Sequence, residues 1–316
     1  MTQATTQTPA DNNYIMHPTV DYCFKELMNN AKVRKGFVAA LLRVKPETIE
    51  GTSLLPTSLS RASENDKLGI LDVLVLLTDG TRIDMEMQVA TFQAWQNRIL
   101  FYLCKMYTDQ LKKGEDYSKM KKCIHVSILD FNHFPDDEEC CRTIHLHDSK
   151  THALYSDLLE IQILELKKLP KELPDDNDVL SWMRFFSGKK KEDFQAMAGK
   201  NEYLDEAYNT LLELSADEKK RLEYEAREKA LRDYNFGMNC ARKEGEQVGE
   251  ERGIAIGKER GIAIGEKRGI AIGNEQRDRD LIITWTKQGR SDSEIAELLN
   301  LSEDAVRKVQ VEEQIE

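Results

Sequence analysis

From Leu68 to Gln88, LGILDVLVLLTDGTRIDMEMQ, the hydrophobic rhythm is that of two β-strands joined by a turn. The first run is dense in Leu, Ile and Val, which suit a buried pleated surface. Thr78 to Thr81 carries turn chemistry, with Asp79-Gly80 at the reversal of a hairpin. The second run alternates strictly. Ile83, Met85 and Met87 share one face and Asp84, Glu86 and Gln88 the other, because strand side chains alternate sides.

Elsewhere the rhythm is helical. Phe24, Leu27 and Met28, then Phe37, Val38, Leu41 and Leu42, predict one helix over Asp21 to Leu42, with Thr19 as its N-cap. Ser53 to Leu59 reads as a short strand, followed by a polar loop to Lys67. Ile99, Leu103, Met106 and Tyr107 form the stripe of a helix from Phe92 to Lys113, which Gly114 stops. Ile124 to Phe131 is again a strand. Strand, helix and strand make a crossover unit, and an α/β sandwich follows. Cys140 to His152 and Ser156 to Leu166 are expected to add strands at the sheet edge. From Asp178 to Asp233 apolar residues recur at helical spacing. WMRFF (Trp182 to Phe186) reads as core rather than as a base-stacking platform.

An internal repeat follows, ERGIAIGK, ERGIAIGE and KRGIAIGN, with glycine at every fourth residue from Gly245 to Gly273. Such spacing makes a smooth groove for a second helix. Each helical Gly also costs ~1 kcal/mol relative to Ala, so linker and oligomerisation helix both remain open. No GxxxxGKS/T is present, so the repeat is not a P-loop. The end of the chain resembles a small helix-turn-helix. Ser291 and Glu294 form a capping box, Asn300-Leu301 the turn, and Ser302 caps a last helix that offers Arg307 and Lys308 to phosphates. A plain helical hairpin used for dimerisation is the rival reading. The organisation is therefore a disordered tail (1–13), an α/β core (14–170), a helical extension (171–240), the glycine repeat (241–276) and the helix-turn-helix-like tail (277–316).

Composition narrows the classes. The chain has 316 residues, 40% of them hydrophobic, enough for one core with appended modules. No apolar run approaches the ~20 residues of a membrane span, and the N-terminus lacks a signal-peptide pattern. Six cysteines without a CxxC pair fit reduced thiols and a cytoplasmic protein. The formal charge of −11 opposes polyanion binding, so nucleic acid would have to meet local patches such as Lys112-Lys113, Lys119-Lys121-Lys122, Lys167-Lys168 and Lys189-Lys190-Lys191, or metal ions.

Candidate chemistry centres on the hairpin. Asp72 interrupts an apolar strand, where a carboxylate is costly unless paired or metal-bound. Asp72 on one strand with Glu86 and Gln88 on the other can gather two carboxylates and an amide. Hard oxygen ligands with room for water and phosphate suit Mg²⁺, with Mn²⁺ as a substitute. A merely solvated polar face is the alternative. His145 and His147, beside Cys140-Cys141, form a competing zinc constellation without a familiar zinc spacing.

Together DYCFKELM (Asp21 to Met28), LDVLV, IDMEMQ and the helix and strand from Phe92 to Phe131 resemble the PD-(D/E)xK nuclease family transposases, also called the Rpn recombination-promoting nucleases. The resemblance implies a restriction-endonuclease-like αβββαβ core and a metal-dependent DNA endonuclease acting in recombination, transposon-like mobility or phage defence. It implies Asp72 and Glu86 as Mg²⁺ ligands, Asp21 as a third acidic group, and Gln88 where the wider superfamily carries Lys. An amide orients water but cannot act as a base. Asp84 is read as a second-shell group or a solvated bystander, outside the core site. Arg98 and Tyr102 match the family's RxxxY pattern, as a stacked buried pair or as a phosphate contact. The expected partners are DNA and further copies of the chain, and no membrane. The alternative is a nuclease-like DNA-binding or regulatory protein that no longer cuts and oligomerises through its repeat.

Overall fold

The structure is a computed structural model that describes residues 13–59, 70–90, 94–174 and 178–313. The N-terminal tail to residue 12, the loop up to Lys67 and the expected helix start at Phe92 lie outside these residues. The chain divides into two compact units, Met1–Asn235 and Phe236–Glu316.

The first unit is built on a six-stranded mixed sheet. Its strands are β1 (Thr52–Leu55), β2 (Val73–Leu77), β3 (Arg82–Gln88), β4 (Cys123–Leu129), β5 (Cys141–His147) and β6 (Leu154–Glu165), in the spatial order β1-β2-β3-β4-β6-β5. β1, β2 and β3 form an antiparallel meander, whereas β4 and β6 run parallel to β3. β5 closes the far edge antiparallel to β6. The Asp79-Gly80 turn forms as expected. Gly80 sits at φ +91°, which glycine reaches without a Cβ clash, and Asp79 Oδ1 accepts from the Thr81 amide at 2.8 Å.

Two helices replace the single one expected over Asp21 to Leu42, α1 (Asp21–Asn29) and α2 (Ala31–Leu42). Asn30 breaks the run because its side chain competes with the helix for backbone amides. Its Oδ1 accepts from Lys32 N and Val33 N at 2.9 and 3.2 Å, which caps α2. Val20, not Thr19, precedes α1, and its side chain makes no cap. The crossover helix α3 (Trp95–Thr108) is shorter than expected and links β3 to β4. The order α-β-β-β-α-β is therefore the restriction-endonuclease-like core, with β5 and β6 added beyond β4.

Helices cover both faces. Ile83, Met85 and Val126 on one face share a core with α1, α2, α4 (Asp178–Phe186), α5 (Lys191–Ala198) and α6 (Glu202–Ala216). Trp182, Phe185 and Phe186 are buried there, so the aromatic cluster is core. Gly36 on α2 lets α6 approach closely, since a Cβ there would stand 2.4 Å from Tyr203 Cβ. On the other face α3 sets Tyr102, Leu103 and Met106 against Leu71, Leu74 and Cys123.

The long helix α7 (Glu218–Lys287) holds the whole glycine repeat. In the second unit its C-terminal end packs with α8 (Asp292–Leu299) and α9 (Glu303–Glu313) around Ile282, Ile295 and Val306. The Ser291–Glu294 capping box is present, and Asn300 turns the chain at φ 54°. Among the described residues no helix is long and apolar enough to cross a membrane.

Candidate active site

The hairpin register defines the site. β2 and β3 pair Leu74 with Asp84 and Val73 with Met85, so the next residues in register are Asp72 and Glu86. Residues opposite one another in an antiparallel pair project from the same face. Asp72 lies just before β2 rather than inside it, as the sequence reading had placed it. Its carboxylate is thus at the mouth of the strand, where helix α1 can reach it.

Lys25 of α1 does so, with Nζ 2.9 Å from Asp72 Oδ1 and 3.6 Å from Asp21 Oδ2. The half-buried ammonium is held above its ordinary pKa because Asp72 and Asp21 outweigh the opposing effect of burial. Asp21 therefore joins the site through Lys25. Glu86 is 2% exposed. Its Oε2 accepts from Arg98 Nη2 at 2.7 Å and from Gln88 Nε2 at 3.0 Å. Arg98 also lies over the Tyr102 ring, 5.3 Å from its centroid, so it serves the stack and the acid together.

Asp84 is no solvated bystander. It is fully buried, flanked in register by Leu74 on β2 and His125 on β4. His125 Nδ1 lies 2.7 Å from Asp84 Oδ2, and His125 Nε2 lies 2.8 Å from Ser127 Oγ. All three side chains are out of water, and among the described residues Asp84 Oδ1 has no hydrogen-bond partner. Burial raises the Asp84 pKa against the lowering effect of His125. Burial, with Asp84 and Asp72 nearby, pushes the Glu86 carboxyl up to about 7. Three carboxylates thus crowd one face with Lys25, Arg98 and His125 as their nearby counter-groups.

Of the four expected site residues, Asp21 and Asp72 share Lys25, and Glu86 and Gln88 share a hydrogen bond, while strand register alone relates the two pairs. Sequence reading missed Lys25 as a neighbour of Asp72 and missed His125 and Ser127 altogether. A signal was present, because His125 and Ser127 are alternate polar positions in an otherwise apolar strand, as Asp84 and Glu86 are in theirs.

The donor set fits a hard divalent cation. It is all oxygen, and one buried carboxylate oxygen stands unpartnered. Among the described residues no three or more His, Cys, Asp or Glu side chains are arranged to hold a metal unaided. Two carboxylates with water and substrate oxygens is an arrangement Mg²⁺ accepts.

Other expected constellations are spent on internal contacts. His145 meets Glu160 Oε2 at 2.9 Å and His147 meets the His152 carbonyl at 3.0 Å, so neither offers its bonded nitrogen to zinc. Lys122 pairs with Glu160 at 2.6 Å and Lys168 with Glu165 at 2.9 Å, and both carboxylates are buried. Arg307 of the C-terminal tail, expected to face phosphates, pairs with Asp292 and Glu303 at 3.1 and 2.8 Å.

A family model of the PD-(D/E)XK nuclease family transposases matches residues 18–241 of this chain. No curated protein and no solved structure matches it.

Proposed function

Because this chain belongs to the PD-(D/E)XK nuclease family transposases, we propose that it is a metal-dependent endonuclease that hydrolyses phosphodiester bonds in DNA, in recombination, transposon-like mobility or phage defence. The observation that carries this reading is the register-matched pair Asp72 and Glu86 with Asp84 beside them, the Glu86 carboxyl being pushed up to about 7 first by burial and then by Asp84. Folding acids together at such electrostatic expense is a mark of functional sites.

Asp72 and Glu86 would hold the cation, Mg²⁺ or Mn²⁺. When bound, it supplies Lewis acidity, a water acidic enough to ionise near neutrality, and a template for substrate oxygens. The chain's own residues do the rest. Gln88 donates to Glu86 through Nε2, which leaves its carbonyl oxygen to accept from a water and orient it. It brings no positive charge. Lys25, anchored between Asp21 and Asp72, brings an ammonium to the site from α1 instead. Arg98 carries a guanidinium on the side of Glu86, a group whose planar fork suits phosphate. Both cations lessen the repulsion between an acidic site and a polyanion. The cysteines are free thiols, in keeping with action in the cytoplasm.

The test is plasmid nicking by the purified chain. Supercoiled DNA should relax in Mg²⁺ or Mn²⁺ and stay intact in EDTA. Asp72→Ala should lower the rate by at least about a hundredfold, the scale of losing one transition-state stabilising group. Nicking by that variant at the wild-type rate refutes the site.

A further inference from the structure

We infer that Asp84, held in place by His125, is a positioning residue for the divalent cation, a role that rests on the site proposed above. The argument starts from acceptor capacity. The two oxygens of a carboxyl group offer several lone-pair sites, and Asp84 has no solvent to fill them. His125 satisfies Oδ2 through Nδ1 at 2.7 Å. Ser127 Oγ stands 2.8 Å from the other ring nitrogen, and its hydroxyl can donate there. With its proton on Nδ1 the ring donates to Asp84 and accepts from Ser127. Oδ1 is left with no donor.

A buried acceptor without a partner costs about 1–3 kcal/mol, and such exceptions in a native chain call for a cause. Its flanking positions are already set. Leu74 and His125 lie to either side in the sheet, and the next side chain along the same face is Glu86. The structure therefore places an anchored, half-satisfied carboxyl group beside the two carboxylates that would hold the ion. Mg²⁺ keeps several of its waters when protein-bound, and those waters are hydrogen-bond donors of the kind Oδ1 lacks. The His125–Asp84 contact has the form of an outer-shell carboxylate–histidine pair, in which partners that do not touch the metal still set its affinity.

Mn²⁺ binding to the full-length protein, by calorimetry or by electron paramagnetic resonance, tests this without reference to cleavage. Asp84→Asn should weaken binding about 10- to 100-fold, the range for outer-shell partners, with the metal-free unfolding midpoint no lower than that of the wild type. His125→Ala should weaken binding by a similar factor, and His125→Asn, which keeps a donor toward Asp84, should recover most of it. Unchanged Mn²⁺ affinity in Asp84→Asn and His125→Ala overturns the inference and leaves the pair a packing device. Should Asp84→Asn not fold, the two His125 variants decide in the same way. Asp72→Asn separates the two layers of the argument. If the wild type binds no Mn²⁺, or Asp72→Asn binds it as well as wild type does, the cation site itself is wrong and this role falls with it. Loss in Asp72→Asn with none in the Asp84 and His125 variants removes this role alone.

Discussion

At the scale of single residues, the feature with the clearest consequence is the raised carboxyl of Glu86. Its carboxyl is raised to about 7 first by burial and then by Asp84 and Asp72. The folded chain therefore binds this proton more tightly than the unfolded chain does. The associated stabilisation is complete below the unfolded value near 4.5 and is lost as pH rises through about 7. A cation takes the ionised form, so proton and metal compete. Mg²⁺ or Mn²⁺ should raise the melting midpoint more at about pH 8 than at about pH 5. Differential scanning fluorimetry at the two pH values checks this, and an equal shift at both denies that Glu86 is the shared group. Strand alternation made Glu86 and Gln88 legible together in the sequence. The sequence leaves Asp84 open between a second-shell group and a solvated bystander because its partner, His125, lies 41 residues away on a parallel strand, and alternation along one strand carries no information about parallel register.

At the scale of elements, Asn30 decides where α1 ends and α2 begins. Its amide also donates to Glu206 Oε1 and Thr210 Oγ1 on α6, at 2.8 and 2.9 Å, so one side chain caps a helix and ties it to a second. Asn30→Ala should cost about 1–2 kcal/mol, the upper range for a lost N-cap, read from urea unfolding of the chain. A loss under about 0.5 kcal/mol would show that the α1–α2 break is held by other contacts. The break was hidden in the sequence because Phe24 to Leu42 keeps a helical rhythm on both sides of it. The meander, the Asp79-Gly80 turn and the crossover helix were legible, since each rests on local rhythm and turn chemistry. The position of β6 between β4 and β5 was not, because its parallel partner is separated from it by β5.

At the scale of the molecule, the helices after the sheet are not an appendage. Phe194, Leu204 and Leu211 lie in the same core as Val75 and Met85. The repeat in α7 is a different case. Ile254, Ile256, Ile262, Ile264, Ile270 and Ile272 are each more than half exposed, and a Cβ added at any glycine from Gly245 to Gly273 would meet nothing within 4 Å. Eight helical glycines at ~1 kcal/mol each and a row of bare isoleucines are together poorly matched to a helix alone in water. A second copy of this chain, packed through small-residue grooves, would cover both. Removing Gly245 to Gly273 should therefore lower the number of copies per particle found by light scattering, and an unchanged number dismisses the repeat as the contact between copies. With a net charge of −11, nucleic acid at the proposed site would have to be held by local cations and in a salt-sensitive way.

Asp72 and Glu86 are gripped from opposite sides of the sheet, one by Lys25 on α1 and the other by Arg98 on α3. These two tethers fasten each flanking helix to the acid between them. An ion at the proposed site would compete with both tethers for their carboxylates. Lys25 and Arg98 would then have their contacts with Asp72 and Glu86 to exchange for a substrate phosphate.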